Sequence, residues 1–599
     1  MIRPIGFLKK FLQTQMSGLT GHIEEARYPF DTVEWGRKEY FANNENPNWW
    51  VYEQTAYWLD GFLRCAILLD DKKAIQRAAT IIYNVLNDAD KDGYLGPVQL
   101  KSPDSFNRWP HVVFFRACMA LYEYNGDKTI IEKLSGHYLG SPAVYVQNRN
   151  VLNVEIMLWL YEKTGDERLL QFAEQSYIAY NALCRDDLCD GVALSDKKPY
   201  AHGVSYNEYS KLGAILYRYT GKKEYLDASV AAYKKIDKYF MLPDGLHCSD
   251  EFMISNGVMH SHETCCVSDY TWSLNYLYEA SKTPYYLDKI EKCVFNAGLG
   301  SVTDDFKALQ YFSCVNQIVL DNKSNHNSFY RGSSWMSYRP NPGTECCPGN
   351  VNRFMPNYIM NMWSAEGSDV YLKLYGASEY ILDGVAITEE TEYPFNNQVK
   401  LKIKCERPFD LHLRIPVWAE GYEVVFSGEK TTRNKEGFLT LRITENCEVL
   451  ISFACGVKVH REKNYVWFSK GALVYSYDPE CIVNVDESET RSSKEFPAYN
   501  IYAKNEWAFG VYEDCKVKDN NDGTLSLEVY KISNWKTETV KKVRRCTNLY
   551  ERSYDYVDGQ FTFTPPLPSF PVKYGDKKTV KLVPYGKTLC RITAFPRIR

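Results

Sequence analysis

From the N-terminus to about residue 370, apolar residues recur with the 3.6-residue period of helices, and these predicted helices end alike. Leu121-Tyr122-Glu123-Tyr124-Asn125-Gly126-Asp127, Leu160-Tyr161-Glu162-Lys163-Thr164-Gly165-Asp166 and Leu216-Tyr217-Arg218-Tyr219-Thr220-Gly221-Lys222 each close a Tyr-rich turn with a glycine suited to a left-handed cap. A fresh apolar period opens after the break, as in Leu226, Val230, Tyr233 and Ile236. A fourth end, Leu277-Tyr278-Glu279-Ala280-Ser281-Lys282-Thr283-Pro284, breaks at a proline instead. The breaks lie about 40–60 residues apart, one helical hairpin plus its loops, and a series of such units predicts a toroid. Six hairpins would fill residues 1–370 as an (α/α)6 barrel.

Past residue 370 the period falls to two. Val399-Lys400-Leu401-Lys402-Ile403-Lys404, Leu411 to Ile415, Phe438 to Ile443 and Val449 to Phe453 alternate inward and outward residues as half-buried antiparallel strands do. Residues 371–599 are therefore expected to form a β-sandwich region, jelly-roll-like, of one or two modules. Ala472 to Tyr477, Leu525 to Tyr530, Phe561 to Phe563 and the stretch Pro565-Pro566-Leu567-Pro568 suggest the second. The fold class is thus multidomain, mainly α and then β.

A chain of 599 residues exceeds one ordinary core, so two to four domains are expected. With 71 basic against 75 acidic side chains, the balance lacks the basic footprint that nucleic acid requires. No run approaches the roughly 18 apolar residues that span a bilayer, so no membrane partner is expected. Met1 to Gly18 carries Arg3, Lys9 and Lys10 among short apolar pieces, unlike a signal peptide, and the expected location is cytoplasmic. Aromatic residues make 15% of the chain, and flat rings with polar tips suit sugar faces, although large cores absorb most of them. The eighteen cysteines are spread thinly apart from two adjacent pairs, which in a reducing compartment favours buried thiols plus a metal or catalytic cluster.

Those pairs lie in His262-Glu263-Thr264-Cys265-Cys266 and in Thr344-Glu345-Cys346-Cys347-Pro348-Gly349-Asn350. Glu263, Cys265, Cys346 and Cys347 would supply four soft or borderline ligands suited to tetrahedral Zn2+. The spacing is not that of a zinc finger, and adjacent cysteines are more often buried small hydrophobes, so the residues alone leave both readings open.

The two segments resemble those of glycoside hydrolase family 127, the β-L-arabinofuranosidase family. The similarity runs from Gly18-Leu19-Thr20-Gly21-His22 and Tyr52-Glu53-Gln54-Thr55-Ala56-Tyr57-Trp58 to Leu413-Arg414-Ile415-Pro416-Val417-Trp418-Ala419, and the Glu-x-Cys plus Cys-Cys-Pro pair is its most specific element. The resemblance implies an (α/α)6 barrel with appended β-sandwiches, zinc on the four ligands named above, and Cys346 as the nucleophile of a retaining hydrolase. Sugar hydrolysis ordinarily uses two carboxylates. A zinc-bound thiolate is nevertheless chemically coherent, because the ion lowers the thiol pKa while sharing among three sulfurs leaves electron density for attack.

The family's acid/base glutamate falls on Glu251 in Asp250-Glu251-Phe252, although the interval to Glu263 is shorter than in the family and Asp250 is the alternative. His111 and His202 resemble barrel histidines that hydrogen-bond the sugar, while a lone histidine is more often a satisfied structural residue. His260 and His262 would support the metal ligands. Asn207, Glu208 and Glu345 are further polar candidates, for which solvated or helix-pairing roles are the plainer reading. The expected partners are a plant-derived oligosaccharide or glycoside substrate and, at most, a second copy in a homodimer. Competing readings are the same mechanism on another sugar such as an acidic pectin residue, a noncatalytic carbohydrate-binding protein with structural zinc, and an epimerase or lyase on the same barrel.

Overall fold

The computed structural model describes residues 1–36, 49–140, 142–184, 187–324, 335–342, 346–433, 437–542, 545–547, 553–555, 559–563 and 566–598. Helices come first: α1 (Gly6–Ser17), α2 (Trp49–Leu69), α3 (Lys72–Leu86), α4 (Trp109–Asn125), α5 (Lys128–Gly140), α6 (Asn153–Thr164) and α7 (Glu167–Leu183). They continue as α8 (Asp190–Leu194), α9 (Gly203–Ser210), α10 (Leu212–Thr220), α11 (Lys223–Tyr239), α12 (Cys265–Ser281), α13 (Tyr285–Cys293), α14 (Cys346–Asn350) and α15 (Phe354–Met360).

Packing follows burial pattern. In α2 every residue from Val51 to Ala66 is buried, so no face is left for water, as expected of a helix enclosed on all sides. In α3 only one stripe is buried, Ala74, Ile75, Ala78, Ala79 and Ile82 among it, which marks an outer helix. The inner helices touch in a ring, α2 to α4 to α6 to α10 to α12 to α15 and back to α2. The chain crosses itself closely where this ring closes. A Cβ on Gly61 of α2 would meet the Asn352 backbone at 2.6 Å, and one on Gly349 would meet the Gln54 carbonyl oxygen at 2.3 Å.

The predicted helix ends are observed. Gly126, Gly165 and Gly221 cap α4, α6 and α10 in the left-handed conformation. At the fourth end, Lys282 adopts that conformation with φ 54°, and the proline begins the next helix two residues on. One cysteine pair departs from the expectation of free thiols: Cys184, just after α7, and Cys189, just before α8, form a disulfide.

Of the solvated and helix-pairing readings of Glu208, the structure takes the second. Glu208 lies on α9 inside the barrel, where Arg116 Nη2 reaches Glu155 Oε2 and Glu208 Oε2 at 2.6 Å each, and Lys211 Nζ contacts both carboxylates. All four side chains are fully buried. Removing one charge strands its partners in a low-dielectric interior. Arg116→Met is expected to cost about 3–5 kcal/mol of stability. Urea unfolding is the measurement, and a loss below about 1 kcal/mol would contradict this account.

Strands dominate after α15. A seven-stranded sheet and a four-stranded sheet follow directly, and in the strand Gln398–Cys405 the buried residues Val399, Leu401 and Ile403 alternate with lysines. The first strand of the chain, Ile2–Pro4, joins the edge of the seven-stranded sheet by pairing antiparallel with Ser378–Leu382. A third, ten-stranded sheet carries Leu473–Tyr477 and Leu525–Ile532 and also recruits Asn316–Gln317 from the barrel side. The barrel and the first sheets are bolted by Arg414, whose Nη1 lies 2.9 Å from Asp288 Oδ1 on α13, and by the Tyr393 hydroxyl, which donates to Glu291 Oε2 at 2.6 Å.

Candidate active site

Three pieces of backbone meet inside the barrel. The short strand His262–Glu263 pairs with Phe312–Ser313 and runs into α12, whose first residue is Cys265. The one-turn α14 brings Cys346 and Cys347 against that start. Gly349 lets the turn lie directly on α2, since any side chain there would collide with Gln54.

The consequence is a cluster in which one ligand atom each from Glu263, Cys265, Cys346 and Cys347 all lie within 4.8 Å of one another. Cys265 Sγ and Cys347 Sγ are 3.3 Å apart, Cys346 Sγ is 3.9 Å from Cys347 Sγ, and Cys346 Sγ is 3.7 Å from Glu263 Oε1. Three of the four are buried, and Cys346 is half-buried. Burial pushes the thiols of Cys265 and Cys347 well up, and burial together with the neighbouring Glu251 and Cys346 charges does the same for the Glu263 carboxyl. Cys346 goes the other way: burial opposes its thiolate, but hydrogen bonds from the Cys265 and Cys347 thiols outweigh it.

These residues fit a divalent cation of borderline softness. Among the described residues Glu263 Oε2 is buried with no hydrogen-bond partner, an arrangement that costs free energy unless something electropositive meets it. Three sulfurs and one carboxylate oxygen are also the donor set that zinc accepts in tetrahedral sites.

Glu251 reaches the cluster from a strained position. Its φ is 65°, in the left-handed region that a non-glycine residue adopts at a cost of about 1–3 kcal/mol. Its carbonyl is held there by the Gly203 N–H at 2.8 Å and the Ser249 hydroxyl at 3.1 Å. The side chain then accepts from the Tyr311 hydroxyl at 2.6 Å, and that same hydroxyl lies 3.5 Å from Cys346 Sγ. Asp250, one residue earlier, turns away: its Oδ1 takes the Ser261 N–H at 2.8 Å and its Oδ2 faces His260 Nδ1 at 2.7 Å.

His202 caps α9, and its Nδ1 accepts the Ser205 N–H at 3.3 Å while facing Arg149 Nη2 at the same distance. The proton therefore sits on Nε2, which points 3.3 Å from Glu251 Oε2 and 3.8 Å from Glu263 Oε2. Burial lowers the pKa of this imidazole, which favours its neutral form. His111 is placed differently. It is fully buried among the rings of Trp35, Tyr94, Phe115 and His137, with Nε2 on the Leu95 carbonyl at 2.9 Å, away from the cysteine cluster. His262 Nε2 meets Asp244 Oδ2 at 2.8 Å. Glu345 lies outside the described residues.

Two neighbours of the cluster, Tyr311 and Arg149, escape the sequence motifs, and a third, Glu53, lies within the Tyr52–Trp58 segment without being singled out there. Tyr311 is one of 47 tyrosines and carries no local signature. Arg149, with φ 63°, spans Glu53 Oε1 at 2.9 Å, Ser205 Oγ at 3.1 Å and His202. Glu53 is buried, which pushes its pKa up to about 7 despite the Arg149 charge beside it. An acidic residue in the middle of a helix with no exposed face is the signal that could have found it.

Solved structures of similar fold cover the whole chain. A GH127 β-L-arabinofuranosidase from Geobacillus stearothermophilus T6 aligns over 100% of this chain and 99% of its own, with 16% identity and a TM-score of 0.69. A GH127 β-arabinofuranosidase and a structure described as a glycoside hydrolase align over 100% of this chain and 96% of theirs, with 14% and 15% identity and TM-scores of 0.68 and 0.69. No curated protein matches the sequence. The family model of the GH127 β-L-arabinofuranosidase catalytic domain matches residues 20–359, and that of the GH127 middle domain matches residues 369–449. The protein is a glycoside hydrolase built as a helical barrel followed by a β-rich region. It belongs to glycoside hydrolase family 127, the β-L-arabinofuranosidases. No described helix is long and apolar enough to cross a membrane.

Proposed function

We propose that the chain is a retaining β-L-arabinofuranosidase acting on plant-derived oligosaccharides or glycans, with Cys346 as nucleophile and Glu251 as acid/base. The observation that carries this reading is the Tyr311 hydroxyl, which bridges Cys346 Sγ and Glu251 Oε1 and so holds a thiol and a carboxyl on either side of one hydroxyl. Zn2+ held by Glu263, Cys265, Cys346 and Cys347 would keep the sulfurs as thiolates at neutral pH.

In the first step Cys346 Sγ forms a bond to the anomeric carbon as the glycosidic C–O bond breaks, and Glu251 gives its proton to the departing oxygen. In the second, Glu251 takes a proton from water, the water oxygen bonds to the anomeric carbon, and the C–S bond breaks to restore the thiolate. Two inversions give net retention. Tyr311 fixes one oxygen of Glu251, and the neutral His202 offers its Nε2 proton beside the other, within reach of a sugar hydroxyl.

The freshly purified protein is expected to contain about one zinc per chain, to lose activity with chelator and to regain it with zinc. Full activity in metal-free protein would contradict the ligand assignment. An aryl β-L-arabinofuranoside should be cleaved with the β-anomer as first product by NMR. Faster cleavage of an aryl uronide would transfer the mechanism to an acidic pectin sugar, and binding without cleavage across an aryl glycoside panel would leave a carbohydrate-binding protein.

A further inference from the structure

The two segments that bring the cysteines together have no covalent link, and they lie 81 residues apart from Cys265 to Cys346. One fully buried amide joins them. Asn350, the last residue of α14, donates from Nδ2 to Asp269 Oδ2 at 2.8 Å and to the Cys265 carbonyl at 3.4 Å, both on the first turns of α12. Its Oδ1 accepts from Arg353 Nη1 at 2.8 Å, and the same Nη1 also donates to Asp269 Oδ1 at 2.9 Å. The backbone repeats the link, since the Ser268 hydroxyl donates to the Asn350 carbonyl at 2.8 Å.

We propose that Asn350 is a positioning residue that sets α14 in register with α12, and thereby sets the Cys346 and Cys347 sulfurs against Cys265. Asparagine is required by its polarity. Asp269 needs a donor, the Cys265 carbonyl needs a donor, and Arg353 needs an acceptor, and a side-chain amide alone among residues of that size supplies all three. The clamp is anchored to the barrel, because Arg353 Nε donates to Asp60 Oδ2 at 2.9 Å and Asp60 Oδ1 faces Arg64 Nε at 2.7 Å, both on α2. Asp60, Asp269, Asn350 and Arg353 are fully buried, so water cannot substitute for a lost partner. Asn350 touches neither the sugar-facing groups nor a ligand sulfur. It acts through the geometry of the four ligands, and this inference rests on their holding a cation.

The test uses the full chain carrying Asn350→Asp, and the charge-swapped pair Asn350→Asp with Asp269→Asn. The single variant sets two carboxylates face to face. The pair restores one donor and one acceptor, with Arg353 again opposite a single carboxylate. Zinc affinity is read by competition with a chromophoric chelator, and ligand geometry by the thiolate absorption of the Co2+-loaded protein. Asn350→Asp is expected to bind zinc about 10–100-fold more weakly, the usual effect of losing an outer hydrogen-bond partner of a metal ligand. Its folded, cobalt-loaded fraction should show an altered thiolate band, and at saturating zinc kcat should fall with KM within about twofold. The swapped pair should recover most of the zinc affinity. Zinc affinity within about threefold of wild type in Asn350→Asp, or a swapped pair no better than the single variant, would overturn the proposal. If Asn350→Asp does not fold, Asn350→Ser and the swapped pair are read by the same criteria. Wild-type protein that binds neither zinc nor cobalt would instead overturn the cation reading of the four ligands.

Discussion

Cys346→Ser is expected to lose activity by on the order of 10^4-fold or more, even in the fraction of molecules that keep zinc. Serine is close in shape, so the turn that carries residue 346 should persist, but a hydroxyl is a far poorer nucleophile at neutral pH than a stabilised thiolate. The structure gives a second handle on the same question. Of the four clustered groups only Cys346 is half-buried, while Cys265 and Cys347 are closed off from solvent. A haloacetamido glycoside should therefore alkylate Cys346 ahead of the other cysteines, through sugar-directed proximity added to thiolate character. Peptide mapping that placed the label on Cys265 or Cys347, or a zinc-loaded Cys346→Ser protein with ordinary turnover, would end the nucleophile assignment and leave the fold untouched.

Glu251→Gln should separate two classes of substrate. For poor leaving groups, where the departing oxygen needs a proton, the rate should fall by about 10^2–10^4-fold, the usual share of general acid catalysis. For activated aryl leaving groups the first step should be nearly spared, and the slow step should become attack of water on the thioglycosyl enzyme. Zinc content should not change, because Glu251 is not among the four ligands. Glutamine keeps the acceptor for the Tyr311 hydroxyl, so local order should survive. Equal activity of Glu251→Gln on both classes would move the role elsewhere, although Asp250 is poorly placed to inherit it while both its oxygens are occupied by Ser261 and His260.

What the chain discloses about itself follows from how locally each feature is encoded. Helix ends at Gly126, Gly165 and Gly221 are legible because a left-handed cap is a property of a few adjacent residues. The strands Gln398–Cys405 and Cys447–Ala454 are legible because one face is buried and the other wet. The Glu-x-Cys and Cys-Cys pairs stand out by composition, but their meeting depends on close packing at Gly349 and on the Asn350 amide, neither of which has a period to read. His111 and His202 look alike as lone histidines after a turn. Only three-dimensional surroundings distinguish an imidazole caged by four rings from one whose Nε2 faces two carboxylates. Tyr311 and Arg149 were illegible for the same reason, since each joins residues far apart in the sequence.

The pairing of Ile2 with Tyr380 has a consequence during synthesis on the ribosome. The strand Ile2–Pro4 is made before the helical region, yet its partner follows after the whole of it. At about 5–20 residues per second, the wait is roughly 20–75 s before that hydrogen-bonding edge can be satisfied. Until then the nascent chain carries an unpaired strand with α1 directly behind it, and the barrel cannot gain the support of the sheet that Ile2–Pro4 joins. Detached from residues 363–454, the helical segment would keep that edge open, so a truncated catalytic half should be prone to misassembly even though its own ring of helices is complete.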